Sequence, residues 1–229
     1  MATLILQLDD SGAGILGRTL RDHGHRLRTV RLAAGDPLPP DLDDVQAIVV
    51  CGRRSGEVPT AAIAMIAEAH AAETPVIGLG DGAAVLASAI GGASGAAPAA
   101  GWHRVKLSAT GREEAVLAGV AWTSVQLVCG SSGVGEIPKG AKVLANFEDG
   151  STAAFLAGLR SYGFLPRLEL GLGEAAAATR AAGVSIGDAD MAAHLPDAER
   201  IARRVFEAIA LFVAPLDRLN KGLAKDLHY

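Results

Sequence analysis

The chain has 229 residues, of which 50% are hydrophobic, 20% charged and only 4% aromatic, with a formal net charge of −4. That length suits one domain with a sizeable core, and the acidic balance argues against a general nucleic-acid binder, which needs a basic face. Two cysteines are too few for a disulfide framework or a cysteine-based metal site, and no run approaches the roughly 20 apolar residues of a membrane span.

The first residues, MATLILQLDD, lack a basic leader and meet acids early, so they read as a strand and not a signal peptide. A cytoplasmic location is the expectation. Thr3–Leu8 is a continuous apolar run, the pattern of a strand covered on both faces, and Asp9, Asp10 or Ser11 is the expected cap of the helix that follows. That helix carries Ile15, Leu16, Leu20 and His23 at helical spacing and closes at Gly24. Leu27–Leu32 predicts a second strand and Ala47–Val50 the strongest one, joined by the proline-rich GDPLPPDLDD. A helix capped by Thr60 is expected to Ala72, then a buried strand Val76–Leu79, then a helix from Ala83 to Ile90 ended by Gly91-Gly92. This alternation implies a doubly wound, mostly parallel α/β sheet with helices on both faces.

GGASGAAPAAG, residues 91–101, reads as a loop. Short strands are then expected at His103–Ser108, Ser124–Cys129, Lys142–Phe147, Thr152–Leu156 and Leu159–Phe164. Residues 171–183 predict a short helix, and Asp197 is the expected cap of a long amphipathic helix reaching Val213, stopped by Pro215. The tail LDRLNKGLAKDLHY reads as solvated, with packing against a partner or a second copy as the alternative. Cys51 and Cys129 end apolar runs and read as buried, reduced thiols. His23-x-His25 lacks a third ligand and reads as helix-end decoration. No metal and no cofactor are implied.

Chemistry is expected where a buried strand turns straight into a helix, at Pro75 to Gly92, because ligands of open parallel sheets gather beyond the strand carboxyl ends. Strand, Gly-x-x-x-Gly turn and helix make the geometry of a nucleophile elbow. Its central residue is Gly80.

Here the sequence resembles the class I glutamine amidotransferases, especially proteins similar to the glutaminase part of GMP synthetase. These carry Pro-Val-x-Gly-x-Cys-x-Gly-x-x-x-Leu-Ala-x-x-x-Gly-Gly, which the chain matches at Pro75, Val76, Gly78, Gly82, Leu86, Ala87, Gly91 and Gly92. Gly101-Trp102, REEAVLAGV, Pro138 and Gly140, Tyr162-Gly163 with Glu169, and ERIARRVFEAIALF extend the likeness over nearly all of residues 1–229. The resemblance implies a flavodoxin-like amidotransferase fold in one domain. It also implies a cysteine nucleophile, a histidine that moves protons and a glutamate that orients it.

Position by position, the cysteine falls on Gly80, the histidine on Arg167, and only the glutamate is kept, as Glu169. The oxyanion loop reads Gly52-Arg53. A hydrogen side chain is no nucleophile, and a guanidinium does not shuttle protons at neutral pH. The expectation is therefore an inactive, glutaminase-like protein that binds, scaffolds or regulates. A synthetase-like enzyme or a second copy is its expected partner, with neither nucleic acid nor membrane involved. Arg53, Arg54, Asp81 and Arg167 are the candidate ligand-binding residues. Either Arg167 fills the old pocket by pairing with Asp81 or Glu169, or the arginines and the helix start at Gly82–Ala84 hold a small anion. The rival expectation is an enzyme with re-purposed chemistry at this elbow, acting on a small anionic or amide substrate.

Overall fold

Apolar runs dictate the strands of the first half, and each alternates with a helix: β1 (Ala2–Gln7), α1 (Gly14–Asp22), β2 (Leu27–Arg31), β3 (Val45–Cys51), α2 (Thr60–Ala71), β4 (Val76–Leu79) and α3 (Asp81–Ala89). The second half adds β5 (Ala93–Gly95), β6 (Gly101–Leu107), α4 (Ala109–Glu113), β7 (Thr123–Val128), β8 (Gly133–Glu136), β9 (Lys142–Phe147), β10 (Thr152–Ala157) and β11 (Ser161–Phe164), and closes with α5 (Leu172–Ala181) and α6 (Asp188–Ala208). These elements come from a computed structural model that describes residues 1–54 and 56–214.

Nine strands form one sheet in the order β2-β1-β3-β4-β11-β10-β9-β6-β7. Strands β2, β1, β3, β4 and β11 run parallel, and from β11 outward every neighbour is antiparallel. The expected mixed, mostly parallel-wound α/β sheet is therefore present. Its centre is buried on both faces: Leu4, Ile5, Leu6, Ile48, Val49, Val50, Val76, Ile77 and Leu79 are all shielded from solvent. Continuous apolar strands rather than alternating ones are what such a position requires. Parallel pairing brings the carboxyl ends of β1, β3, β4 and β11 to a single edge, and the candidate site is assembled there.

Several local expectations need correction. Residues 91–101 are not all loop, because Ala93–Gly95 pairs with β8 in a separate two-stranded ribbon. Ribbons this short carry no period for a sequence to display. The first helix begins at Gly14 with Ala13 before it and no side-chain cap. Asp9 and Ser11 are engaged elsewhere, as described below. Thr60 lies inside α2, with Pro59 in the capping position. Asp197 does not start the last helix, which begins nine residues earlier, at Asp188, and runs through Pro196. The apolar stripe Met191, Leu195, Ala198, Ala202 and Val205 continues unbroken across that proline, which is exposed. Burial of the stripe outweighs the one backbone bond that proline forfeits. Beyond Ala208 the chain continues into a single π-helical turn, Ile209–Val213. Pro215 and the tail LDRLNKGLAKDLHY lie outside the described residues. No helix among the described residues is long and apolar enough to cross a membrane.

Candidate functional site

The elbow forms as its spacing predicts. Strand β4 ends at Leu79, Gly80 takes φ 60° and ψ −127°, and α3 begins at Asp81. Only a residue without a Cβ adopts that backbone geometry without strain. The Gly80 amide donates to the Phe164 carbonyl at 2.9 Å, tying the bend to the end of β11.

Arg167 follows β11 and turns back over the bend. A Cβ built on Gly80 would overlap the Arg167 Cδ and sit 3.1 Å from its Nε, so the arginine stem occupies the space a side chain at position 80 would need. The arginine as a whole is 3% exposed. Nε donates to Oε1 of Glu169 in a fully buried ion pair, Nη2 donates to the Ser11 hydroxyl at 2.7 Å, and Nη1 lies 3.7 Å from Oδ2 of Asp9. Burial alone would pull the guanidinium pKa down; the Glu169 carboxylate, with help from Asp9, more than offsets this and holds Arg167 above its usual range. Arg167 is a permanent cation. Burial pushes the Glu169 carboxyl up against the opposing pull of Arg167. Of the two pairings open to Arg167 from sequence, the structure has the one with Glu169, to which it adds Asp9 and Ser11.

Two carboxylates organise the loops around this pair. Asp9, just past β1, accepts from the Ser11 amide at 3.0 Å, from the Ser11 hydroxyl, and from the Arg53 amide at 2.6 Å. Asp81, fully buried in the first turn of α3, accepts from the Arg54 amide at 2.7 Å, the Ser131 amide at 2.8 Å and the Ser132 amide at 3.0 Å. The Ser131 hydroxyl lies 2.6 Å from Asp81 Oδ2 and 2.9 Å from the Arg54 carbonyl, and its one proton serves either. Consecutive amides of the loop after β3, those of Arg53 and Arg54, are thus each taken by a different internal carboxylate. The resemblance assigns Gly52-Arg53 to the oxyanion position; the Arg53 amide points at Asp9.

Arg53 is half-buried and Arg54 exposed, and through their backbones the two flank the Arg167 cluster. Arg54 lines a pocket of about 250 Å³ with Leu8, Leu32 and Val58. Neither cysteine is positioned as an activated nucleophile. Cys51 is sealed, its thiol 3.6 Å from the Gly12 carbonyl, and burial raises its pKa strongly; burial pushes Cys129 up to about 11. His25 is buried against Thr3, with Nδ1 and Oγ1 3.0 Å apart. Sequence reasoning missed Ser131 and Ser132 as ligands of Asp81, and took Asp9 and Ser11 for helix caps. The signal was a DDSG run at a strand carboxyl end, which serves a cap and a long-range cradle equally well.

No family model matches the chain, and neither does any curated protein. Solved structures do. The glutamine amidotransferase from Methylobacillus flagellatus superposes with a TM-score of 0.78 at 20% identity, over 91% of this chain and 92% of that one. A glutamine amidotransferase from Thermotoga maritima gives 0.73 at 14% identity, over 93% and 99%. A Thermoplasma acidophilum protein described as a GMP synthase subunit gives 0.58 at 16%, over 92% and 95%. The chain has the α/β fold of the class I glutamine amidotransferases.

Proposed function

We propose that this chain is a non-catalytic glutamine amidotransferase-like protein that works by binding, scaffolding or regulation. The contact that carries the reading is Arg167 lying across Gly80 and locked to Glu169. At the bend there is no side chain to attack with, and the group beside it is a cation that neither accepts nor returns a proton. The surviving glutamate, whose part in such a triad is to orient an imidazole, neutralises the arginine instead. The Arg53 amide, in the loop that the resemblance assigns to the oxyanion, is occupied by Asp9. A synthetase-like enzyme or a second copy of the chain is the partner this reading calls for.

The test is ammonia release from glutamine by the purified chain, read alongside mass spectrometry after exposure to a glutamine-derived chloromethyl ketone. We expect neither turnover nor a covalent adduct. Turnover above that of the Arg167→Ala variant, or an adduct on Cys51 or Cys129, would overturn the reading.

A further inference from the structure

A second cavity lies away from the bend, between the antiparallel half of the sheet and α6. It measures about 40 Å³, and every side chain lining it is apolar except Ser124 and Gln126. Small residues leave the room: Ala145 on β9 and Ala153 and Ala154 on β10 form part of its wall, and Ile201 and Val205 of α6 close it. Phe164, Pro166 and Leu168 also line it, alternating along the chain with Arg167 and Glu169, whose ion pair lies over Gly80. The cavity and the elbow thus share one backbone segment.

Gln126 is the polar group that the cavity leaves unused. Ser124 pairs with Val105 across β7 and β6, so Ser124 and Gln126, two residues apart, present their side chains on the cavity face with Val105 and Leu107. Gln126 is 3% exposed, and its Nε2 donates to the Ser124 hydroxyl at 3.2 Å. Its Oε1 accepts no hydrogen bond from any described residue, a costly state for a buried amide oxygen. Ser124 and Ile201 also line the adjoining pocket of about 230 Å³, where Asp197 and Arg200 stand 3.1 Å apart. These opposite charges cancel, so the approach favours a neutral ligand.

An apolar pocket with one convergent polar group has the composition of a small-molecule site. At about 10–15 Å³ per water-sized group, 40 Å³ holds about three or four non-hydrogen atoms. We infer that this cavity binds a short-chain aliphatic alcohol, with the alkyl chain against the alanines and the hydroxyl donating to Oε1 of Gln126. Water satisfies the amide equally well but gains nothing from the apolar walls, whereas an alkyl chain does. The inference goes beyond the proposed function and does not rest on it.

The test is titration of the isotope-labelled full chain with n-propanol, followed through its backbone amide NMR signals. We expect saturable shifts at Gln126, Ala145, Ala154 and Leu168. Ethyl methyl ether, the isomer without a hydroxyl, should bind about tenfold more weakly, because it brings no donor to Oε1. Gln126→Leu keeps the bulk and removes the acceptor, and should bring alcohol and ether to near-equal affinity. Ala145→Val fills the cavity and should abolish saturation by both; if that variant does not fold, the ether comparison and Gln126→Leu decide. Shifts that grow linearly without saturation would mean a solvent effect and overturn the site. So would ether binding as tightly as alcohol to wild type, an alcohol preference that survives Gln126→Leu, or saturable binding undiminished in Ala145→Val.

Discussion

Substituting Gly80 by alanine probes the site most directly, because two separable penalties meet at one atom. The first is backbone strain: φ 60° with ψ −127° is disfavoured for any L-residue and costs about 1–3 kcal/mol. The second is steric, since the new methyl group overlaps the Arg167 Cδ; forcing a carbon into a packed interior costs about 1–3 kcal/mol. Together they predict a loss of about 2–6 kcal/mol, a large share of a typical domain's roughly 5–15 kcal/mol. The steric part should vanish when Arg167 is shortened. In an Arg167→Ala, Glu169→Gln background the guanidinium and the charge it neutralises are both absent, and Gly80→Ala should cost only the strain, about 1–3 kcal/mol. Urea unfolding of the four proteins, wild type and background with and without the substitution, measures the coupling. An equal cost in both backgrounds would mean that Arg167 does not occupy the elbow, and the reasoning built on that contact would fail.

Removing Arg167 alone, as Arg167→Ala, strands the buried Glu169 carboxylate and should cost about 3–5 kcal/mol; adding Glu169→Gln should recover a clear part of that in the same urea titration. The cysteines give a pH prediction. Both thiols have pKa values above their ordinary range in the folded chain, Cys129 at about 11. The unfolded chain therefore releases these protons first as pH rises. The stabilising contribution of the neutral thiols is complete below the ordinary thiol pKa and declines from there through about pH 11, which Cys51→Ala, Cys129→Ala should flatten in a plot of unfolding free energy against pH. For the same reason a disulfide reagent at neutral pH should label neither thiol in the native state and both in urea. Rapid native labelling would contradict their burial.

Much of this molecule is legible in the sequence. Uninterrupted apolar runs such as Thr3–Leu8 and Val76–Leu79 allow little else than strands covered on both faces, and the helical intervals between them imply parallel crossovers. The elbow is legible for a related reason: Gly80 at the junction of a strand and a helix, with Gly78 and Gly82 on either side, marks a tight bend with close approach of the two elements. Absence of a thiol at position 80 and of an imidazole at position 167 is a fact of the sequence and needs no coordinates.

What sequence could not decide is which of several partners each polar group takes. Asp9, Ser11, Asp81 and Ser131 are all sound helix-cap or loop residues, and local rules assign them local roles. The structure assigns them across the chain: Asp9 to Arg53, 44 residues away, and Asp81 to Ser131, 50 residues away. Local propensity is also why Asp197 looked like a helix start and residues 91–101 like a loop, whereas burial of α6 and pairing of β5 with β8 settled both otherwise. The sequence determines the strands, the bend and the absence of a thiol at position 80 and of an imidazole at position 167, because these follow from composition and spacing along the backbone. Tertiary structure alone decides that Arg167 fills the bend and that the loop amides answer to internal acids, because both depend on distances between segments that only the folded sheet brings to one edge.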